Sequence, residues 1–190
     1  SRGLGDVYKR QGLLRAELRA KFEARGLSYV RCFREGLDVR WQDFFGVSTR
    51  GEAEAKCRAE GLTASWLADG TLRIERRTEA VRKHPESGEA LFFNQILLHH
   101  SALLPAAVRG SLLEMYGAEG LPRQVYFGDG GAISDEEMAE VVEAYEQATL
   151  KFPWQSGDLL MVDNMRMAHG RSPFSGPRKI LVAMGDMVHA

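Results

Sequence analysis

Two stretches of the chain repeat apolar residues at helical spacing, one near its start and one in its second half. The first repeat predicts an amphipathic helix over 13–25 that Gly26 ends. The second predicts a helix over 135–150, which opens with a capping box at Ser134 and stops before Pro153. The positions that share a face are Leu13, Leu14, Leu18 and Phe22 in the first helix, and Met138, Val141, Val142, Tyr145, Ala148 and Thr149 in the second. Each helix therefore has one face to bury against a core.

Two further helices are indicated by the residues at their ends. Ser48 or Thr49 can accept hydrogen bonds from the first turn of a helix over 52–59. A helix over 105–116 has proline at its first turn and glycine directly after its last residue. Both segments are therefore expected to form short helices between the two longer ones.

Short apolar or alternating runs between turn residues predict strands. Asp69-Gly70 lies between two such runs, 63–67 and 71–77, and favours a hairpin with a type I′ turn, because that turn needs positive φ angles. The other predicted strands are 27–33, 90–94 (after a turn over 84–88), 123–127, 159–162 and 180–184. The last two are apolar runs between turn formers and are expected to be buried. Many short strands with a few packing helices predict an α+β, mainly β fold that resembles a jelly-roll sandwich.

Composition and charge narrow the class of protein. The 190 residues are long enough for a single domain with its own core, and the net charge of −1 without a long basic run gives no sign of nucleic-acid binding. Cys32 and Cys57 show no metal-binding spacing and indicate reduced, buried thiols. No apolar run approaches the ~18 residues of a membrane span, and no secretory signal opens the chain. A soluble cytoplasmic protein without a membrane partner is therefore expected.

Residues 1–11 differ in character from the rest of the chain. Their sequence, Gly-Asp-Val-Tyr-Lys-Arg-Gln from Gly5 onward, is typical of translated sequencing-adapter read-through at the ends of metagenomic fragments. We interpret 1–11 as a non-native leader and 12–190 as a single partial domain, whose parent would begin further upstream. The alternative is a genuine flexible N-terminus.

Motifs with candidate chemistry are concentrated in the last quarter of the chain. An imidazole, His169, precedes Gly170, and a guanidinium, Arg178, stands at the start of the predicted strand 180–184. On neighbouring strands, these two groups could serve a metal ion and a carboxylate respectively. The surrounding motifs, in chain order, are Trp154-Gln155-x-Gly157-Asp158, Asp163-Asn164 and His169-Gly170-Arg171-x-Pro173-Phe174-x-Gly176-x-Arg178.

These motifs resemble the C-terminal part of the TauD/TfdA family of Fe(II)- and 2-oxoglutarate-dependent dioxygenases. The most similar members are the SyrP-like ones, which occur with nonribosomal peptide synthesis. The resemblance runs from about residue 12 to residue 186. Further segments that support it are His84-Pro85-x-x-Gly88-Glu89, Phe92-Phe93-Asn94-Gln95 and Tyr126-Phe127-Gly128-Asp129-Gly130.

The resemblance implies a fold, cofactors and site residues. The fold would be a double-stranded β-helix, here without its first strands, and the cofactors would be Fe(II), 2-oxoglutarate and O2. In such sites two histidines and one carboxylate hold the iron. The resemblance makes His169 the distal histidine. Arg178 would bind the far carboxylate of 2-oxoglutarate, either as the sole candidate or with Arg171 as its helper. Other branches of the family carry a further arginine four residues after Arg178, where this chain has Val182.

The second histidine and the carboxylate of such an iron site are missing from the expected upstream position. His84-Pro85-Glu86 has the right residue types, but it lies in a Pro/Ser/Gly turn, so turn geometry explains it better. His99-His100 also suggests a metal site, yet adjacent residues on a strand point to opposite faces. We therefore expect this chain to carry one iron ligand of three.

Two further pairs of polar residues allow more than one interpretation. Asn94 and Gln95 follow an apolar strand and could face the substrate, but their amides could equally bind loop backbone. Asp163 and Asn164 are interpreted as turn formers rather than ligands.

The function that the resemblance implies is hydroxylation of an unactivated C–H bond by a longer parent protein. The substrate would be a small molecule in secondary metabolism, such as an amino acid that is free or held on a carrier protein. One alternative is a non-catalytic cupin-like binding domain. Another is a different metalloenzyme that uses His84, Glu86 and His169.

Overall fold

The computed structural model describes residues 2–6, 12–173, 175–177 and 179–185. Its α-helices are α1 (Ala16–Arg25), α2 (Trp41–Phe45), α3 (Arg50–Ala59), α4 (Ile96–His99), α5 (Ala106–Tyr116) and α6 (Asp135–Gln147). A 3-10 turn spans Ser101–Leu103. Its strands are β1 (Arg2–Asp6), β2 (Leu27–Cys32), β3 (Thr63–Trp66), β4 (Leu72–Thr78), β5 (Arg82–Lys83), β6 (Ala90–Leu91), β7 (Arg123–Phe127), β8 (Thr149–Phe152) and β9 (Met167–Arg171).

The largest sheet is antiparallel, with four strands in the order β3–β4–β2–β7. Side chains alternate between its two faces, so one face holds Leu27 and Phe127 at one corner and Leu72 and Ile74 at the other. Helices α1 and α6 pack at the first corner, and α2 and α3 pack at the second. The same face therefore supports two hydrophobic clusters. The first cluster includes Leu18, Phe22, Leu27, Leu91, Phe92, Val125, Phe127, Met138 and Val141, and the second includes Phe33, Phe45, Ala53, Cys57, Leu72 and Ile74.

Elements with strong local signals form as predicted. The strand over 123–127 is confirmed. Helix α3 begins two residues before the predicted range 52–59, and α6 begins at the predicted residue. Each of these helices begins with a capping box, at Thr49 and at Ser134. The strand over 27–33 and the helix over 105–116 are confirmed to within one residue. Cys32 and Cys57 are free and buried, as predicted, and burial raises the pKa of both thiols.

The predicted type I′ turn is wrong. The amide of Leu67 donates to the carbonyl of Thr71 at 2.9 Å, and the amide of Gly70 donates to the carbonyl of Leu67 at 2.9 Å. Three residues, 68–70, therefore lie between the paired residues Leu67 and Thr71, with Gly70 at a φ of 84°. This is a type I turn followed by a left-handed glycine, the usual three-residue hairpin connection. The second predicted hairpin forms as β5 and β6, but its return strand ends at Leu91 rather than at Asn94.

The largest disagreements with the sequence predictions lie after residue 147. Helix α6 ends at Gln147, and 149–152 form strand β8 instead of a last helical turn. The predicted strands 159–162 and 180–184 do not form, and Leu159 and Met161 are 95% and 93% exposed. These runs were expected to be buried because they are apolar, but burial requires a partner surface. Among the described residues, no strand pairs with either run.

The three-stranded sheet has the order β8–β1–β9, and β1 comes from the segment interpreted as a leader. Strand β1 is antiparallel to both neighbours, with Leu4 opposite Leu150 on one side and opposite His169 on the other. No pattern of residues over 2–6 had indicated a strand there. The division into a leader over 1–11 and a domain over 12–190 stays a prediction.

The described architecture consists of antiparallel sheets with packed helices. This agrees with the predicted mixture of strands and helices, whereas the N-terminally truncated double-stranded β-helix stays a prediction. Within the described ranges, no helix is both long and apolar enough to cross a membrane.

Candidate functional site

The predicted metal ligand His169 lies in the middle of β9, directly opposite Leu4 of β1, and its side chain is exposed. Arg171 is the last residue of the same strand. Arg178 lies outside the described residues, so its predicted contact with a carboxylate stays a prediction. The strand that follows the Asp163 turn therefore presents the candidate imidazole to solvent.

The turn before β9 is built around Asp163. Its Oδ1 accepts the amide protons of Met165 at 2.9 Å and Arg166 at 3.3 Å. Its carbonyl accepts the amides of Arg166 at 3.1 Å and Met167 at 2.9 Å. The interpretation of Asp163 as a turn former is thereby confirmed.

Asp163 has a second partner that the sequence analysis missed. The Nε2 of His84 lies 2.8 Å from its Oδ2, across 79 positions of sequence. The His84 side chain is almost fully buried, and its Nδ1 accepts the amide of Ser87 at 3.2 Å, so Nε2 carries the proton and donates to Asp163. Burial works to raise the pKa of Asp163, but hydrogen bonds from His84 and from the amides of Arg166 and Met165 outweigh it and lower the pKa.

A second polar contact joins the same two turns. The guanidinium of Arg166 pairs with Glu89, which also accepts the hydroxyl proton of Ser87 at 2.9 Å. The turn over 84–89 is closed by the amide of His84, which donates to the carbonyl of Glu89 at 2.8 Å. Two side chains of one turn thus contact two side chains of the other. The signal in the sequence was the pair of polar motifs, His84-Pro85 and Asp163-Asn164, but nothing in either motif indicated that they meet.

The alternative metal site of His84, Glu86 and His169 receives no support from this geometry. Both ring nitrogens of His84 already have hydrogen-bond partners, Asp163 and the amide of Ser87. The prediction that His84-Pro85-Glu86 is a turn rather than a ligand pair agrees with the turn that follows β5.

The interpretation of His99-His100 as part of a strand is wrong, because His99 ends helix α4 and His100 follows it. His100 is buried, with Nε2 3.1 Å from the carbonyl oxygen of Ile133, while its Nδ1 accepts the amide of Ala102. His99 packs edge-on against Tyr29, with ring centroids 5.0 Å apart. Burial lowers the pKa of both imidazoles. His100 therefore has a structural position in the core, and His99 is half-buried against Tyr29.

The two residues predicted to bind substrate differ in their surroundings. The Asn94 amide donates to the carbonyl of Ala80 at 3.1 Å, and its Oδ1 accepts the amide of Ile96 at 3.2 Å. Asn94 thus binds the backbone on both sides, which is the structural alternative that the sequence left open. Gln95 is exposed, and its backbone amide donates to the hydroxyl of Tyr29 at 2.9 Å. A substrate contact by either residue stays a prediction.

The glycine-rich segment over 126–130 docks onto the end of α1. The carboxylate of Asp129 accepts two hydrogen bonds from the guanidinium of Arg25, at 2.6 and 2.7 Å, and Arg25 lies over the ring of Phe127 at 4.0 Å. The Arg25 hydrogen bonds, followed by the amide of Gly131, lower the pKa of Asp129 to about 2. The contacts of the motif over 126–130 therefore belong to the packing of α1 against β7.

An Fe(II) site needs several ligand side chains around one point, and the described residues do not provide such a set. No group of three or more His, Cys, Asp or Glu side chains lies close enough together to hold a metal ion in these parts of the chain. His169 can supply one imidazole. The described residues alone therefore do not fit a complete iron site.

Comparison with known proteins gives a consistent assignment. The family model described as "Taurine catabolism dioxygenase TauD, TfdA family" matches residues 6–184. The chain is 38% identical over 186 residues to the dapdiamide synthesis protein DdaC of Enterobacter agglomerans, an alignment that covers 98% of this chain and 56% of that protein. It is 27% identical over 186 residues to a clavaminate synthase-like protein of Arabidopsis thaliana, covering 94% of this chain and 53% of that protein.

The chain thus spans about half the length of the relatives that it matches. The family match extends over nearly the whole chain, from the segment before α1 through β9 to residue 184. It includes both turns that meet at His84 and Asp163 and the strand that carries His169. The chain belongs to the TauD/TfdA family of dioxygenases.

Proposed function

We propose that this chain is part of an Fe(II)- and 2-oxoglutarate-dependent dioxygenase that hydroxylates an unactivated C–H bond of a small molecule. The observation that carries the proposal is the family match over residues 6–184, which includes the strand with the exposed His169. Dioxygenases of this kind consume 2-oxoglutarate and O2 and release succinate and CO2. The proposed activity belongs to a parent protein as long as these relatives, and this chain is one part of that parent.

His169 is proposed as one iron ligand, because a neutral imidazole is a common ligand of non-haem iron. The other ligands would come from a part of the parent protein that this chain does not contain. Arg178 is proposed to bind the far carboxylate of 2-oxoglutarate, since a planar guanidinium matches a carboxylate with two parallel hydrogen bonds. Arg171, two residues after His169 on the same strand, is the helper or the alternative for that role.

The substrate is proposed to be a small molecule of secondary metabolism, such as an amino acid that is free or bound to a carrier protein. The relative at 38% identity is a dapdiamide synthesis protein, which supports a role in a biosynthetic pathway. Asn94 and Gln95 are proposed as substrate contacts. Gln95 is the better placed of the two, because its side chain is exposed whereas the Asn94 amide binds backbone.

The test is to titrate 2-oxoglutarate into the iron-loaded parent protein and into its arginine variants. Removal of one partner of a desolvated charge pair costs roughly 2–5 kcal/mol, so Arg178→Ala should raise the Kd for 2-oxoglutarate about 30- to 4000-fold. Arg178→Lys should recover only part of the loss, because an ammonium keeps the charge without the planar fork. A larger defect in Arg171→Ala than in Arg178→Ala would transfer the role to Arg171.

His169→Ala in the same parent separates the enzyme from the non-catalytic alternative. Loss of iron binding together with loss of succinate formation is expected for a ligand. A parent that binds neither iron nor 2-oxoglutarate, with or without the substitution, would instead be a cupin-like binding domain.

A further inference from the structure

We infer that His84 is a positioning residue. Its hydrogen bond to Asp163 links a buried imidazole to a partly exposed carboxylate, and this link holds the turn from which β9, the strand of His169, begins. The consequence for the active site rests on the proposed function, since it matters for catalysis only if His169 binds the metal. The link itself follows from the contacts of the two turns. We call the contacting segments 84–89 and 163–166 the paired turns.

The imidazole of His84 is held on one side by its own turn and contacts Asp163 on the other. Its ring is 8% exposed, its Nδ1 accepts the amide of Ser87, and the turn around it is closed by backbone hydrogen bonds from His84 to Glu89 and from Gly88 to His84. The only ring atom left to contact another segment is Nε2, which donates to Asp163. The turn over 84–89 therefore holds one side of the ring, while the other side donates to Asp163.

The two carboxylate oxygens of Asp163 accept hydrogen bonds from different parts of the chain. Oδ1 accepts the amides of Met165 and Arg166 and shapes the local turn, whereas Oδ2 accepts the proton of His84. The side chain of Met165, in the middle of this turn, packs against the first hydrophobic cluster. Asp163, through His84, and Met165, through the first hydrophobic cluster, thus both attach this turn to the rest of the fold.

The candidate ligand His169 lies only six residues after Asp163 in the sequence. Strand β9 begins at Met167, whose amide donates to the carbonyl of Asp163 at 2.9 Å, and His169 follows two residues later. In the part of the chain that the structure describes, β9 pairs with β1. Loss of the link to His84 would therefore loosen the start of β9, which the Arg166–Glu89 pair and the packing of Met165 still attach to the body, while leaving the local turn intact.

The chain offers substitutions that separate the link from the turn. Asp163→Asn keeps the Oδ1 acceptor for the turn but places an amide donor opposite the His84 donor, and His84→Leu removes the donor. His84→Gln is the conservative variant, since its amide carries one acceptor for Ser87 and donors for Asp163, as the imidazole does. Asp158→Asn is the matched control, because Asp158 accepts the amide of Gln155 at 2.8 Å in a nearby exposed turn.

The experiment measures hydrogen–deuterium exchange of the amides over 163–171 in the 190-residue chain, without iron or 2-oxoglutarate. His84→Leu and Asp163→Asn should each speed exchange there by roughly tenfold to a hundredfold, as expected for loss of one hydrogen bond to a charged group. The double variant should be no faster than the faster single one, because both changes break the same contact. His84→Gln should recover most of the protection, and Asp158→Asn should leave it unchanged.

A second readout follows the candidate ligand itself. The backbone amide resonance of His169 should move in Asp163→Asn and in His84→Leu, and should lie close to its original position in His84→Gln. Exchange over 27–32, in the central sheet, reports whether a variant has lost its fold. If His84→Leu unfolds the chain, the test uses Asp163→Asn alone, because the Asp163 side chain is partly exposed and its substitution should be tolerated.

Unchanged exchange over 163–171 in Asp163→Asn, or additive effects in the double variant, would overturn the inference. Because no iron or 2-oxoglutarate is present, these outcomes do not depend on the proposed dioxygenase activity. A parent protein without activity would refute the proposed function and leave the link between the paired turns in place.

Discussion

Substitution of Gly128 by alanine should destabilise the fold because two backbone segments meet there without room for a side chain. A Cβ at Gly128 would lie 2.2 Å from the carbonyl oxygen of Arg25, whereas ordinary contacts of a Cβ begin at 3.4 Å. The neighbouring atom is backbone, at the end of α1, so it cannot rotate away as a side chain would. The two segments would have to separate by about an ångström.

That separation acts on contacts that hold the segment to α1. The amide of Gly128 donates to the carbonyl of Gly26 at 3.1 Å, and the next residue, Asp129, holds the Arg25 guanidinium. Overpacking costs about 1–3 kcal/mol, and a weakened backbone hydrogen bond adds about 0.5–1.5 kcal/mol. The free energy of unfolding should therefore fall by about 2–4 kcal/mol, and the Tm of a chain of this size by roughly 4–16 °C.

The assay is urea unfolding followed by circular dichroism, with Gly110→Ala as the matched control. Gly110 lies inside α5 with no atom within 4 Å of a built Cβ, so the same substitution there should stabilise the helix by about 0.5–1 kcal/mol. If the free energy of unfolding falls in Gly128→Ala and rises in Gly110→Ala, the loss at Gly128 comes from the contact with Arg25 and not from the added methyl group as such. A Gly128→Ala variant within about 0.5 kcal/mol of the original chain would refute the packing explanation of the 126–130 segment.

Three further outcomes are expected. Phe22→Ala should lower the free energy of unfolding by about 3–5 kcal/mol in urea, because the ring is fully buried against Phe92 and Phe127; a loss below about 1 kcal/mol would contradict that packing. The carboxyl of Asp129 has a pKa lowered to about 2, so its contribution to stability is present above the unfolded value of about 3.9 and is lost as the pH falls through the folded one. Unfolding free energies measured from pH 5 to 2 should therefore decline less steeply in Asp129→Asn, and equal slopes would contradict the role of Arg25. The purified 190-residue chain should bind Fe(II) weakly and form no succinate from 2-oxoglutarate, and turnover at ordinary enzymatic rates would overturn the expectation of a single ligand.

The elements that the sequence predicted best are those whose cause is local. Thr49 and Ser134 begin helices because each side chain accepts an amide three residues later, at 3.3 and 3.2 Å, and both partners lie within one turn. The strand over 123–127 was also predicted with its correct ends, since turn residues and glycines bound it on both sides. Such interactions need no knowledge of the rest of the chain.

The wrong predictions concern features that depend on a distant partner. An apolar run such as 159–162 has the composition of a buried strand, but composition does not say whether another strand covers it. The hairpin at Asp69-Gly70 was located correctly, yet its loop length depends on which residues of β3 and β4 pair. Helix α6 was extended past Gln147 because Ala148 and Thr149 continue its apolar face, while pairing with β1 draws 149–152 into a strand.

The candidate site shows the same distinction at the level of side chains. The sequence identified Asp163 as a turn former and His84 as part of a turn, and both interpretations agree with the structure. It did not indicate that the two residues meet, because 79 positions separate them and neither motif needs the other for its own turn. Their contact links the turn before β9 to the hairpin of β5 and β6, which lies far upstream in the sequence. If His169 binds the metal as proposed, a substitution at His84 would weaken metal binding without changing a ligand, and only the hydrogen exchange of the paired turns would reveal the origin of the defect.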